Sequence, residues 1–342
     1  MYDVVTIGDC FEDIYLFLKE AAIIESGKFD SGKGVCFDYG GKIAVDKITY
    51  QIGGSAANTA INFNKLGSRV SLISALGADS QGEKILDYLL ANGIDIGLIK
   101  KRKDAASNIS VILSFQGDRT ILTYHDNDDY SDFKPNKNLK SRWIYLAPLG
   151  KNSSAVENRI VEIIAKTGCG LIWNPGNYQI KKGARNYRHL LRLCNIIFLN
   201  REEAREFADL PGKEMTEEIM KALYSYGVKI IVITEGKNGS HCFDGQLFYK
   251  ISASDDERID ATGAGDAFAG TFSASLISGC GKEKAQSYLP ERKIIEQALK
   301  RAIIVSGSVV GQVGAHNGLL TPTEIIEHEK KLVKLEPSVY TK

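Results

Sequence analysis

The chain has 342 residues, 44% of them hydrophobic and 25% charged, which excludes a disordered, fibrous or coiled-coil protein. At about 150 residues per domain, this length predicts two domains, or one large α/β domain with an accessory piece. The 43 basic and 42 acidic side chains give a net charge of +1. Such a balance gives no reason to expect a nucleic-acid or membrane-surface partner.

The sequence contains no segment that predicts secretion or membrane insertion. Residues 1–5 lack the basic and apolar regions of a signal peptide. The uncharged run 302–323 is too polar and too rich in glycine to span a membrane. The six cysteines are scattered without metal-ligand spacing, which suits a reducing compartment. We therefore predict a cytoplasmic protein.

The first hundred residues begin with alternating strand and helix patterns. Val4–Gly8 is a short apolar run ended by glycine, which predicts a buried strand. Residues 55–66 have apolar side chains at helical spacing and are followed by Gly67, which predicts a helix and its end. A second strand at 70–73 and a second helix at about 81–91 follow.

Beyond residue 140, apolar strands alternate regularly with helical stretches. The predicted strands are Trp143–Leu146, Leu171–Trp173, Ile196–Leu199 and Ile230–Ile233. Uninterrupted apolar strands that alternate with helices are typical of a parallel sheet covered on both faces. We expect Trp143 and Trp173, which lie in these strands, to belong to the core.

Two segments of the N-terminal half have short, mixed strands instead. One of them contains two strand patterns around Gln116-Gly117-Asp118, which predicts a hairpin. We therefore predict the α/β class, with a doubly wound, mostly parallel sheet, helices on both faces and a small additional β-sheet. The expected α/β core comprises residues 1–13, 52–106 and 126–342, and the small β-sheet comprises residues 14–51 and 107–125.

The strongest candidate site is the loop Asp260–Asp266, with the sequence Asp-Ala-Thr-Gly-Ala-Gly-Asp, before a helix that runs to about Ser278. Small residues leave N–H groups uncovered at the start of this helix, and the helix dipole favours an anion there, such as a transferring phosphoryl group. Asp266 in the first turn can accept a proton from an alcohol that attacks phosphorus. The simpler alternative is a tight turn with Asp266 as an ordinary acid at a helix start.

Competing motifs fail on spacing. A complete P-loop is absent, because Gly34 replaces the hydroxyl residue in the nearest match. Each Gly-x-Gly lacks the third glycine of a dinucleotide fingerprint. Residues 53–57 nearly match the nucleophile elbow of hydrolases around Ser55, with His316 as a conceivable partner, but Ala57 replaces its second glycine.

Asp260–Asp266 and Gly53–Ala60 together resemble the two signature regions of the PfkB (ribokinase-like) family of sugar and nucleoside kinases. Smaller family landmarks follow in the expected order, so that the resemblance covers nearly the whole chain. They are Gly8–Asp13, similar to the end of the family's first strand with its final acid; Asn200–Glu203, similar to its N-x-x-E element; Thr234–Gly239, similar to its nucleotide-binding turn; and Gly314-Ala315, similar to its tail.

The resemblance implies a role for each matching residue. Asp266 is implied as the catalytic base, and the N–H groups of Gly263, Ala264 and Gly265 as the anion hole. The residues implied to hold the acceptor are Asp13, Gly53, Gly54 and Asn58. The residues implied on the ATP side are Asn200, Glu203, Thr234, Gly236, Gly239 and Gly314, with Glu203 serving Mg²⁺ through water.

Further implications concern ions, the small sheet and assembly. Some relatives use a potassium ion near the anion loop, and Asp260 and Thr262 match part of that site. The small sheet resembles the family's lid, which closes over the sugar and often pairs with the lid of a second subunit. Asn200 and Glu203 also have N-cap to N3 spacing, so that helix capping alone accounts for them. His125 after the hairpin is expected to be solvated.

The resemblance thus implies ATP-dependent phosphorylation of a hydroxyl on a small polyhydroxy substrate, with a sugar favoured because Gly117–Tyr124 resembles the lid hairpin of sugar kinases. A nucleoside acceptor is the alternative, since Gly53–Asn58 also resembles adenosine kinases. A regulator that binds sugar without catalysis is a further alternative.

Overall fold

The computed structural model describes residues 1–29, 32–116, 118–125, 130, 135–210, 212, 214–254, 258–280, 285–332 and 335–341. The strands are β1 (Tyr2–Ile7), β2 (Phe11–Leu18), β3 (Ala22–Glu25), β4 (Lys33–Cys36), β5 (Val45–Gly53), β6 (Val70–Ile73), β7 (Ala75–Gly77), β8 (Lys100–Arg102), β9 (Ile109–Phe115), β10 (Asp118–Tyr124), β11 (Ser141–Leu146), β12 (Gly170–Trp173), β13 (Cys194–Asn200), β14 (Ile230–Thr234), β15 (Ser240–Phe243), β16 (Phe248–Ile251) and β17 (Ser338–Tyr340). The helices are α1 (Ser55–Lys65), α2 (Ser80–Ala91), α3 (Ser154–Thr167), α4 (Asn177–Lys182), α5 (Arg188–Leu191), α6 (Arg201–Phe207), α7 (Thr216–Tyr224), α8 (Ala264–Ser278), α9 (Arg292–Val310) and α10 (Pro322–Lys331).

The main sheet has the strand order β17-β16-β15-β14-β13-β12-β11-β1-β6. Strands β14 to β6 in this order pair in parallel, and β15, β16 and β17 extend the sheet in antiparallel fashion. The parallel strands are mostly apolar, as expected for a sheet with helices on both faces. None of the described helices has the length and apolar character needed to cross a membrane.

Two hydrophobic clusters lie on opposite faces of the main sheet. One cluster contains residues of α1, α2, α8, α9 and α10, and the other contains residues of α3 to α7. Trp143 belongs to the first cluster and Trp173 to the second, and both are buried as expected. The predicted doubly wound α/β class is therefore confirmed.

A second sheet, here called the small sheet, has the order β10-β9-β2-β5. Most of its residues lie in the two predicted segments, but β2 begins at Phe11 and β5 ends at Gly53, beyond the predicted bounds. β9 and β10 pair in antiparallel fashion as the hairpin pattern indicates; Gly117 lies outside the described residues. β3 and β4 form a separate two-stranded hairpin, while β7 and β8 pair in parallel.

The expected position of Asp13, at the end of the first core strand, is wrong. β1 ends at Ile7, and the next strand, β2, begins at Phe11 and pairs with β5. Asp13 is therefore the third residue of β2 and lies between Gln51 on β5 and Ser110 on β9. Its backbone hydrogen-bonds within the small sheet, so the acid belongs to that sheet rather than to the core.

Candidate active site

The start of α8 is shaped by two glycines with different surroundings. Gly263, the N-cap residue, has a φ of 74°, and a Cβ there would overlap Ala315. A Cβ at Gly265, in contrast, would meet only open space. The N–H of Ala264 donates to the carbonyl of Ala261 at 3.3 Å, whereas that of Gly265 has no acceptor within the described ranges. The loop therefore presents free donor capacity to the pocket beside it.

Asp266 lies in the first turn of α8 and is held by the first turn of α1. The Ser55 hydroxyl donates to Oδ1 of Asp266, and the Asn58 amide donates to Oδ2 at 2.8 Å. Burial raises the pKa of Asp266 above its usual value, and these two hydrogen bonds oppose the rise. Asn62 of α1 also donates to the carbonyl of Ala267 at 2.9 Å. The two helix starts are thus locked together around one partly buried carboxylate.

Asn58 is itself oriented by a buried chain of hydrogen bonds. His316 Nε2 lies 2.8 Å from Asn58 Oδ1, and Tyr88 Oη lies 3.0 Å from His316 Nδ1. Desolvation lowers the pKa of His316 to about 4, so the ring is neutral at pH 7. Because the Asn58 amide nitrogen donates to Asp266, its oxygen must accept, which places the imidazole hydrogen on Nε2 and makes Tyr88 the donor to Nδ1.

This chain removes support from the hydrolase alternative. The Ser55 hydroxyl bonds to Asp266 rather than to His316, whose two ring nitrogens contact Asn58 and Tyr88. A nucleophilic serine needs the imidazole beside it as a base. The contact between His316 and Asn58 could not be predicted from the sequence, because the two residues lie 258 positions apart.

Asp13 faces the same cleft from the small sheet. It is buried, and burial together with the charges of Asp260 and Asp266 raises its pKa to about 6, against a hydrogen bond with Ser110. A Cβ at position 53 would overlap the Asp13 carboxylate, so a side chain there would displace that carboxylate. Gly54, the next residue, is the N-cap of α1. The two glycines therefore join β5, which pairs with the strand of Asp13, to the hydrogen-bond donors at the start of α1.

Asp260, at the start of the anion loop, has both carboxylate oxygens engaged. Oδ1 accepts from Thr262 N at 2.9 Å and from Thr262 Oγ1 at 2.6 Å, and Oδ2 accepts from Gly314 N at 2.9 Å. Arg119 of β10 adds a further hydrogen bond to Oδ1 at 2.8 Å. The contact of Arg119 could not be predicted from the sequence, because Arg119 lies 141 residues from Asp260.

A pocket on the other side of the anion loop contains the predicted nucleotide turn. Thr234, Gly236 and Gly239 line it together with Ala264 and Gly265. Its walls also include the apolar side chains of Phe268, Ile303 and Val310 and the polar ones of Ser254, Arg258 and Ser306. The structure therefore brings the predicted nucleotide turn and part of the predicted anion hole into one pocket.

Asn200 and Glu203 lie beside this pocket and form a capping box at the start of α6. Asn200 Oδ1 accepts from Glu203 N at 2.8 Å, and Glu203 Oε2 accepts from Asn200 N at 2.8 Å. Asn200 is also the partner of Thr234 in the pairing of β13 with β14. Helix capping therefore accounts for their spacing, and neither residue lines the pocket.

Comparison with known proteins gives results of two kinds. The model of the pfkB family carbohydrate kinases matches residues 3–322. The ATP-dependent 6-phosphofructokinase of Thermoanaerobacterium thermosaccharolyticum is 26% identical, over 81% of this chain and 82% of that protein. The nucleoside kinase of Methanothermobacter thermautotrophicus is 27% identical, over 69% of this chain and 75% of that protein.

Among solved structures, Arabidopsis thaliana ribokinase complexed with ribose and ATP matches with a TM-score of 0.74 at 19% identity. The match covers 95% of this chain and 98% of that chain. At this identity the likeness shows the fold, which is that of ribokinase.

Proposed function

Because the chain belongs to the pfkB family of carbohydrate kinases, and is therefore a phosphotransferase, we propose that it transfers the γ-phosphoryl group of ATP to a hydroxyl of a small sugar. The observation that carries this proposal is the position of Asp266. Its carboxylate lies in the first turn of α8, whose start supplies free N–H donor capacity, and is held by Ser55 and Asn58. A base and an anion site thus adjoin each other.

In the proposed reaction, Asp266 accepts the proton of the attacking hydroxyl. Its raised pKa makes the carboxylate a better base than an exposed one. The N–H groups of Gly263, Ala264 and Gly265 hold the oxygens of the migrating phosphoryl group, for which Ala264 exchanges its long hydrogen bond to Ala261 for one to phosphate. Such a transition state is loose, so that positioning and charge stabilisation provide most of the rate.

The two glycines of the anion loop are expected to respond differently to alanine. Gly263→Ala should destabilise the protein by about 2 kcal/mol or more, because φ is positive there and the new methyl group overlaps Ala315. Gly265→Ala should leave stability unchanged but lower kcat by about tenfold or more, since its methyl group enters the space beside the donors. Urea denaturation and steady-state kinetics measure both; equal stability loss in the two variants would contradict this assignment.

The acceptor is proposed to bind between Asp266 and the small sheet. Asp13 and Asn58 offer an acceptor and an amide to sugar hydroxyls, and the Gly53-Gly54 step keeps the backbone close to them. We propose that the small sheet is a lid over a core formed by the remaining segments. A closed lid excludes water, which prevents wasteful hydrolysis of ATP.

The nucleotide is proposed to occupy the pocket lined by Thr234, Gly236 and Gly239. Gly314 does not line this pocket, and its N–H donates to Asp260 at the start of the anion loop. Magnesium fits the neighbouring capping box: one Glu203 oxygen caps α6, and the other has no donor among the described residues. Mg²⁺ prefers oxygen ligands and keeps several waters, so Asn200 and Glu203 would hold it through water. When bound, the ion neutralises charge on the phosphate oxygens.

A homodimer formed through the small sheet is a further part of the proposal. Ile121, Leu122 and Tyr124 of β10 and Ile48 and Tyr50 of β5 are about half exposed. Several exposed apolar side chains on one sheet are typical of an interaction surface. Sedimentation analysis of the wild type and of Leu122→Lys measures the oligomeric state. We expect the wild type to be a dimer and the variant to be a monomer.

A nucleoside acceptor is the second candidate, favoured by the nucleoside kinase among the relatives. Phosphoryl transfer from ATP should be assayed over matched panels of free sugars, phosphorylated sugars and nucleosides. We expect the highest kcat/KM with a sugar. A nucleoside preference would replace the first proposal by the second, and binding of sugar and ATP without turnover would indicate a regulator.

A further inference from the structure

Arg119 joins the small sheet to the anion loop. It lies on β10, an edge strand of the small sheet, and its guanidinium Nη1 is 2.8 Å from Asp260 Oδ1 and 2.8 Å from Thr262 Oγ1. Asp260 is mostly buried, with 11% of its side chain exposed. A buried carboxylate is costly unless it is paired, and Arg119 is the cation that pairs it.

Asp260 and Thr262, the two side chains that Arg119 contacts, match part of the potassium site of some relatives. The residues present do not fit such an ion. Asp260 Oδ1 and Thr262 Oγ1, two of the oxygens that these residues could offer to an ion, already accept from Arg119. Asp260 Oδ1 also accepts from Thr262, and Oδ2 accepts from Gly314. A second cation beside the guanidinium would be repelled at a distance of a few ångströms.

We propose that Arg119 supplies, from within the chain, the positive charge that Asp260 requires, so that this protein needs no monovalent cation. The proposal rests on the proposed function and makes Arg119 a positioning residue. Asp260 holds the loop at Thr262 and at Gly314, and the loop continues directly into the anion hole. A neutralised Asp260 therefore keeps the loop in the shape that presents its N–H groups.

The Arg119 contact has a second consequence, because Arg119 belongs to the small sheet. The guanidinium reaches Asp260 only while β10 lies against the core, so the anion loop gains its counter-charge together with the cover over the acceptor. A free ion would order the loop irrespective of the small sheet. Arg119 thus couples the ordering of the anion loop to the closure of the small sheet over the acceptor.

The test compares wild type, Arg119→Ala and Arg119→Lys in potassium chloride and in tetramethylammonium chloride at equal ionic strength. Turnover and Tm are both measured, because Tm reports cation binding even without catalysis. Arg292→Ala is the charge-matched control, since Arg292 forms an exposed ion pair with Glu296 on one helix. We expect wild type, Arg119→Lys and the control to differ less than about twofold in turnover between the two salts, with equal Tm.

Arg119→Ala should lose about tenfold to hundredfold in turnover in tetramethylammonium, and potassium should restore part of this loss and raise Tm. The proposal is overturned if potassium activates the wild type several-fold, or if Arg119→Ala responds to potassium in neither measurement. If wild type transfers phosphate to no acceptor, the proposed function fails, while the Tm response still decides whether Arg119 replaces the ion.

Discussion

Replacing Asp266 with asparagine is expected to lower kcat by about 10²- to 10⁴-fold while the variant still folds and binds ATP. Asparagine has nearly the shape of aspartate, and its oxygen can still accept a hydrogen bond from Ser55 or Asn58. It cannot accept the proton of the attacking hydroxyl. Steady-state kinetics with the best acceptor and calorimetric titration of ATP measure the two properties separately.

Asp87→Asn is the matched control for this substitution. Asp87 is an exposed aspartate on α2, so the same chemical change there should leave kcat within about twofold of wild type. A turnover near the wild-type value in Asp266→Asn would exclude Asp266 as the base. Loss of ATP binding together with turnover would instead indicate that the substitution disturbs the anion loop.

Asp13→Asn is expected to change stability and activity in opposite directions. The pKa of Asp13 is about 6 in the folded protein, above that of an unfolded aspartate, so ionised Asp13 disfavours folding at pH 7. Asparagine should therefore raise the free energy of unfolding by about 1–3 kcal/mol at pH 7. The same change removes a charged acceptor for sugar hydroxyls and should lower kcat/KM by about tenfold to hundredfold.

The pH dependence of this effect has a definite sign. The folded protein binds the Asp13 proton more tightly than the unfolded chain, so wild type should approach the stability of Asp13→Asn as pH falls from about 6 towards 4. The kcat/KM of wild type should fall through the same range, because protonated Asp13 is a weaker acceptor. Asp46→Asn, an exposed position on β5, controls for the charge change. Equal stability of wild type and Asp13→Asn at pH 7 would refute the expectation.

Features that depend on local sequence were predicted well. Strands β11 to β14 are runs of apolar residues, and α1 and α8 begin directly after glycines, so their positions follow from neighbouring residues. The family and the ribokinase-like fold were also recognised from short motifs, and the family match confirms them. The division into core and lid stays a prediction, as do the individual roles of the site residues.

Features that depend on contacts between distant segments could not be predicted. Asp13 was placed on the first strand because the motif ends there, but backbone pairing with β5 makes it part of the small sheet. Arg119 and His316 are ordinary polar residues in sequence and acquire their roles only through partners more than a hundred residues away. Periodicity and spacing contain no information about such partners.

The hydrogen-bonded chain behind Asp266 has a consequence for the end of each catalytic cycle. Asn58 links His316 to Asp266 through a carboxamide, which does not hand on a proton as an imidazole or a hydroxyl can. On the other side, Ser55 adjoins the buried Tyr145, and desolvation raises the pKa of that phenol, so that it stays protonated near neutral pH. The proton that Asp266 is proposed to remove therefore finds no acceptor along either of these two contacts, and we expect it to reach solvent through the cleft after the phosphorylated product has left.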